Sequence, residues 1–99
     1  MIYATDSDFD SILKVHSKVL VDFFATWCGP CRMLAPELEK VEEQNPGLVV
    51  AKVDVDDCPQ IAMRYRIDAI PCLILFKNGN PTKRVEGFMD AAAINKFVR

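Results

Sequence analysis

The order of runs along the chain predicts an α/β fold. It consists of a central mixed β-sheet, parallel in its first half (βαβ) and antiparallel in its second (ββα), with helices on both faces. Three observations carry this prediction. Strand-like and helix-like stretches alternate along the chain. Three of the strand-like runs are apolar on both faces, as interior strands covered from two sides are. The turn Asn78-Gly79-Asn80 separates the last two strand-like runs, and so short a connection joins antiparallel neighbours.

In order, the elements are a short strand, helix, strand, helix, strand, helix, hairpin and helix. The first helix is predicted over about 8–16, where Phe9, Ile12, Leu13 and His16 share one side. The β-branched and aromatic run Val19-Leu20-Val21-Asp22-Phe23-Phe24-Ala25 follows, with Asp22 its one polar intrusion. A second helix begins at about Gly29 and runs to about Glu43. Its stripe is Leu34, Leu38 and Val41, and Pro36 inside it is expected to cause a kink. Leu48 to Val55 reads as a second interior strand, with Lys52 the intrusion. A third helix starts near Pro59, a residue tolerated at a first helical position. Cys72 to Phe76 (CLILF) is a third buried strand, and Thr82 to Glu86 alternates weakly, as an edge strand does. Asp90 through Ile94 and Phe97 form the last helix. The βαβ crossover is expected to be right-handed.

No repeat, linker or low-complexity tract breaks this order, and 99 residues suit one domain spanning 1–99. A chain of that size buries roughly two thirds of its unfolded surface, so it needs no covalent staple to fold. Hydrophobic residues at 51% and charged ones at 26% describe an ordinary globular protein. The net charge of −2 argues against nucleic acid or an anionic membrane as the main partner. The opening MIYATDSDFD has no basic n-region and no long apolar stretch, so neither a secretory signal nor a transmembrane span is expected. With Met1 as the start, the expected location is cytoplasmic; a secreted form with its leader trimmed stays open. In a reducing cytosol, a cysteine pair points to catalysis or metal binding before a structural bridge.

Such a pair stands in FFATWCGPCRM, Phe23 to Met33. Cys28 falls just after the first long strand, at the predicted N-terminus of the second helix. Free N–H groups and the helix dipole favour an anion there, so Cys28 should be the more acidic thiol. Cys31, three residues on and on the same helical face, lies within bonding reach. Gly29 lets a partner's backbone approach, and Pro30 stiffens a turn where its missing N–H costs nothing. An exposed thiolate at Cys28 can attack a target disulfide, and a sheltered Cys31 can then displace the target from the mixed disulfide. The competing reading is half of a zinc site. Zinc needs a second pair or histidines at ligand spacing, and Cys58, Cys72 and His16 are scattered singly.

At WCGPC the sequence resembles the thioredoxin family. The match repeats at VDFFATWCGPCRM, AKVDVDD, IPCLILFKNG and Gly87, in family order over nearly the whole chain. The resemblance implies the thioredoxin fold and a dithiol–disulfide oxidoreductase, with Cys28 as nucleophile and Cys31 as resolving cysteine. It implies that Pro71 is the family's cis proline and that Ile70 pairs with an incoming extended peptide. Trp27, Gly29, Pro30, Ile70, Pro71 and Gly87 match the shallow apolar surface that docks protein substrates. The Gly-Pro between the cysteines matches the reductant version of the motif. The family's electron source is a flavoprotein thioredoxin reductase fed by NADPH, so the resemblance implies no bound cofactor, disulfide-containing proteins as substrates and a monomer.

Asp22 draws on both lines of reasoning. A carboxylate in an apolar interior strand is costly unless paired or neutral, so burial should raise its pKa. The matching family residue lies behind the resolving cysteine and would take the Cys31 proton, with Lys52 as charge partner on the neighbouring strand; the alternative is a purely structural buried ion pair.

Several residues depart from the family pattern. Cys72 follows Pro71 where Thr is usual; it is read as a small core residue, or else as a third thiol near the redox pair. Cys58 opens a helix after Asp56 and Asp57, which should keep its thiol protonated, so it is expected to be a bystander. Asp68 is read as a solvated loop residue or as a charge that biases partner choice. Phe24 replaces a frequent Trp, and Phe88 and Met89 either extend the docking patch or cap the last helix. His16 is read as a partly buried helix residue, and the DVDD run as a solvated strand end without the Gly and Glu of a calcium loop. Two alternatives to a general reductant follow: a reductant dedicated to one partner, with choice set by Asp68, Phe88 and Cys72, and a non-catalytic docking module.

Overall fold

In the computed structural model, which describes residues 1–99, the strands are β1 (Ile2–Tyr3), β2 (Lys18–Phe24), β3 (Val49–Asp54), β4 (Cys72–Lys77) and β5 (Asn80–Glu86). The helices are α1 (Phe9–Val15), α2 (Gly29–Gln44), α3 (Pro59–Arg64) and α4 (Ala91–Phe97). Each predicted element is present, its ends within two residues of the prediction. The sheet order is β1-β3-β2-β4-β5. β3 runs parallel to both β1 and β2, while β4 runs antiparallel to both β2 and β5, giving the mixed sheet expected.

Side-chain alternation along β2 and β4 divides the core into two layers. Val19, Val21, Phe23, Cys72, Ile74 and Phe76 pack with Phe9 and Leu13 of α1 and Ile61 of α3. Leu20, Leu73 and Leu75 pack on the other face with Leu34, Leu38 and Val41 of α2 and Ile94 of α4. The period of two along each strand therefore sends alternate residues to opposite layers. This explains why the strands read as continuous apolar runs.

Local chemistry sets the ends of the elements. Asn78 and Gly79 both take positive φ (51° and 81°), and Lys77 pairs with Asn80 across the two-residue turn. Asp90 caps α4, its side chain accepting from the Ala93 N–H at 2.9 Å. Glu37 of α2 accepts from the Ala91 N–H at 2.9 Å, which ties the two helices of that face together. That bond, with Lys40 beside it, holds the Glu37 carboxyl below its usual range. Pro36 lies inside α2 on an exposed position, and the helix continues through it to Gln44. His16 ends α1 as its C-cap and is half-buried.

Candidate active site

β2 delivers the chain to the C-terminal edge of the sheet, and α2 begins five residues later. Cys28 is the N-cap of α2, extended at φ −88° and ψ 113°, and its sulfur accepts the Cys31 N–H at 3.2 Å. Pro30 occupies the first turn, where its lack of an N–H costs nothing. Cys28 and Cys31 are joined as a disulfide, with Cα atoms 5.3 Å apart. The sequence predicted one exposed and one sheltered sulfur. Both residues are in fact buried, Cys28 at 6% exposure and Cys31 at 2%. The pair packs against Phe24, Ala25 and Ile70.

Asp22 stands two residues from Leu20 and two from Phe24, so it shares their face of β2, the α2 side. It is fully buried, and neither carboxylate oxygen has a hydrogen-bond partner. Lys52 stands opposite it in the β2–β3 register, its ammonium 3.8 Å from Oδ2, an ion contact too long for a hydrogen bond. Burial pushes the Asp22 carboxyl up to about 6, and Lys52 only partly opposes this. The Lys52 ammonium also lies 4.3 Å from the centre of the Phe24 ring. Cys31 and Lys52, the lysine that faces Asp22, both line one cleft of about 310 Å³ with Phe24, Ala25, Thr26 and Arg32.

The residues matched to the docking surface surround the disulfide. Trp27 and Pro30 are exposed, Gly29 and Ile70 half-buried, and Ile70 packs on the disulfide cluster. The Ile70–Pro71 bond is cis. Pro71 is buried, and its carbonyl accepts the Gly87 N–H at 2.8 Å. Gly87 has φ +95°, a conformation that L side chains rarely adopt. Phe88 projects into solvent, whereas Met89 packs against the α2/α4 core.

The departures also find their places. Cys72 is fully buried in the α1/α3 layer with Phe9, Phe23 and Ile61, apart from the cluster that holds the disulfide. This favours the core reading over a third thiol beside the redox pair. Cys58 is the N-cap of α3, buried in the same layer, its thiol donating to the Ala4 carbonyl at 3.4 Å. Its pKa is raised as expected, but chiefly by burial, then by Asp6, Asp57 and Asp54. Asp56 does something else. Its Oδ2 accepts the indole N–H of Trp27 at 2.9 Å and holds a ring that is 67% exposed. The sequence reading placed Asp56 in a solvated strand end and missed this contact. The one available signal was its position at the end of the strand parallel to β2. The lysine contact of Phe24, read as a plain core exchange, was missed for the same reason: it joins residues 28 apart. Asp68 is exposed, which both readings of it require.

Comparison with known proteins agrees with this geometry. Residues 1–99 match the family model described as Thioredoxin. The chain is 48% identical to the thioredoxin of Mycobacterium tuberculosis over 95 residues, covering 94% of this chain and 82% of that protein. It is 47% identical over 95 residues to the bifunctional thioredoxin reductase/thioredoxin of Mycobacterium leprae, covering 94% of this chain and 21% of that one. Its structure superimposes on a thioredoxin variant from Halobacterium salinarum with a TM-score of 0.92 at 36% identity, covering 98% of this chain and 86% of the other.

Proposed function

The chain belongs to the thioredoxin family and is a protein-disulfide oxidoreductase with a redox-active cysteine pair; from that premise we propose that it works as a reductant, with Cys28 attacking and Cys31 resolving. One observation supports this assignment above the others: Cys28, not Cys31, caps α2. Once the bridge is reduced, the N–H groups of the first turn and the helix dipole stabilise negative charge on the Cys28 sulfur.

The steps balance as two exchanges. The Cys28 thiolate attacks one sulfur of a substrate disulfide, forming a mixed disulfide and releasing the other substrate sulfur as thiolate. Asp22, ionised, takes the proton of Cys31 through the cleft beside Lys52. The Cys31 thiolate then attacks the Cys28 sulfur, re-forming the internal bridge and expelling the second substrate thiolate. Two electrons pass from the protein dithiol to the substrate. Burial supports Asp22 in this role: a carboxyl titrating at about 6 accepts a proton near neutral pH, where an ordinary carboxylate is too weak a base.

An extended segment of the substrate protein lies against Trp27, Gly29, Pro30 and Gly87, and pairs with the backbone at Ile70 beside Pro71. The family relationship and the fused reductase/thioredoxin of M. leprae support a flavoprotein thioredoxin reductase, drawing on NADPH, as the partner that restores the dithiol. No helix is long and apolar enough to cross a membrane, and dithiol chemistry of this direction suits the cytoplasm. We assign the protein there as a monomer.

Insulin reduction driven by dithiothreitol tests the assignment. Cys28→Ser should abolish turnover. Cys31→Ser should form a mixed disulfide on Cys28 that persists, and mass spectrometry should locate it there. Turnover surviving Cys28→Ser would remove the mechanism, and binding that survives loss of both cysteines without turnover would favour the docking module.

A further inference from the structure

The segment Arg66–Pro71 carries the docking backbone from the end of α3 to the start of β4, and β5 with the glycine that follows it holds the segment at both ends. At the far end the Gly87 N–H donates to the Pro71 carbonyl at 2.8 Å. At the near end the Arg84 guanidinium donates through Nη1 to the Tyr65 carbonyl and through Nη2 to the Arg66 carbonyl, the latter at 3.0 Å. Helix C-termini leave their last carbonyls without intrahelical partners, and a cation is favoured there. Arg66 also takes a positive φ of 52°, a turn that a residue with a side chain adopts at some cost, and its own N–H bonds back to Met63. The fork of Arg84 spans the two carbonyls on either side of that turn. Glu86, two positions along β5, sits 3.7 Å from Nη2. Arg84 lies opposite Ile74 in the β4–β5 register, so it reaches the end of α3 on the α1/α3 side of the sheet.

We infer that Arg84 is a positioning residue for substrate docking: its guanidinium fixes the left-handed turn at Arg66, and through it the path of the segment that presents Ile70 and Pro71 to an incoming peptide. The inference rests on the docking reading above. A bidentate arginine fork is rigid where a lysine is a flexible point charge, so it sets direction as well as charge.

The test compares insulin with a small aromatic disulfide, dithiobis(nitrobenzoate), which reaches the sulfurs without an extended backbone. In Arg84→Met the KM for insulin should rise ~5-fold, in line with the loss of ordinary hydrogen bonds to backbone. The kcat and the rate with the small disulfide should stay unchanged, and Arg84→Lys should recover part of the KM. An unchanged insulin KM in Arg84→Met overturns the inference. An equal fall with both substrates, tracking a lowered Tm, overturns it as well, because it marks general destabilisation. Should Arg84→Met fail to fold, Arg84→Gln and Arg84→Lys carry the same comparison. Pro71→Ala, measured alongside, separates the two levels: a raised insulin KM there with none in Arg84→Met sinks Arg84 alone, while an unchanged KM in Pro71→Ala sinks the docking reading itself and Arg84 with it.

Discussion

Asp22 and Lys52 face each other on adjacent parallel strands, carboxylate to ammonium 3.8 Å, and neither carboxylate oxygen has a hydrogen-bond partner. The pair is therefore incompletely satisfied. A single ion contact without supporting hydrogen bonds does not repay the desolvation of a fully buried charge. The carboxyl consequently rises from an ordinary 3.8 to about 6.

That shift has a sign in stability. Between about pH 4 and 6 the folded protein keeps a proton that the unfolded chain has already lost, so stability falls as pH rises through that window. Two pH units correspond to about 3 kcal/mol, fully felt above pH 6. Asp22→Asn removes the cost. Urea unfolding should find the variant more stable than the parent by about 3 kcal/mol at pH 8 and equal to it below pH 4. A gap that is the same at both pH values, or a less stable variant at pH 8, would contradict the assignment of the shift to Asp22.

The same substitution probes mechanism separately. If Asp22 takes the Cys31 proton, resolution of the mixed disulfide should accelerate as pH rises through about 6. In Asp22→Asn that rise should disappear, with the rate at pH 7 falling by about tenfold or more. Rapid-quench trapping of the mixed disulfide measures the resolving step directly. Unchanged kinetics would leave Asp22 as a structural ion-pair partner only.

Cys58 and Cys72 should be inert in the native protein. Both are buried at 2% exposure or less, and burial is the leading cause that raises each thiol. Mild peroxide or iodoacetamide on the oxidised protein should leave both unmodified by mass spectrometry, and both should react once urea is added. Modification of Cys72 under native conditions would restore the idea of a third reactive thiol.

These residues also mark where the sequence was legible. Strand interiors announced themselves because both faces of β2 and β4 are covered, which leaves unbroken apolar runs. The Cys28–Cys31 pair was legible because its spacing, its place after a strand and its Gly-Pro interior all agree. Asp22 stood out as a charge where none should be, and its partnership with Lys52 followed from resemblance and not from spacing. Contacts made by exposed side chains across the fold left no local trace. The Trp27–Asp56 bond and the Arg84 fork join residues 29 and 18 or 19 positions apart, and neither interrupts a pattern. The depth of Cys28 was hidden for another reason: it follows from packing with Phe24, Ala25 and Ile70, not from its place at a helix start.

Two glycines of the proposed docking surface should behave in opposite ways. Gly87 has φ +95° and open space around the position a Cβ would take, so its need is conformational and not steric. Gly87→Ala should cost about 1–2 kcal/mol and loosen the bond to the Pro71 carbonyl. Gly29 lies in ordinary helical backbone, and a Cβ there would meet nothing nearer than the Arg32 guanidinium at 3.9 Å. The fold therefore has no need of glycine at that position, and alanine should leave urea stability unchanged or raise it by up to ~1 kcal/mol. If a substrate backbone passes close over the first turn of α2, Gly29→Ala should nonetheless raise the KM for insulin. A stable Gly29→Ala with an unchanged KM would place that turn outside the docking surface.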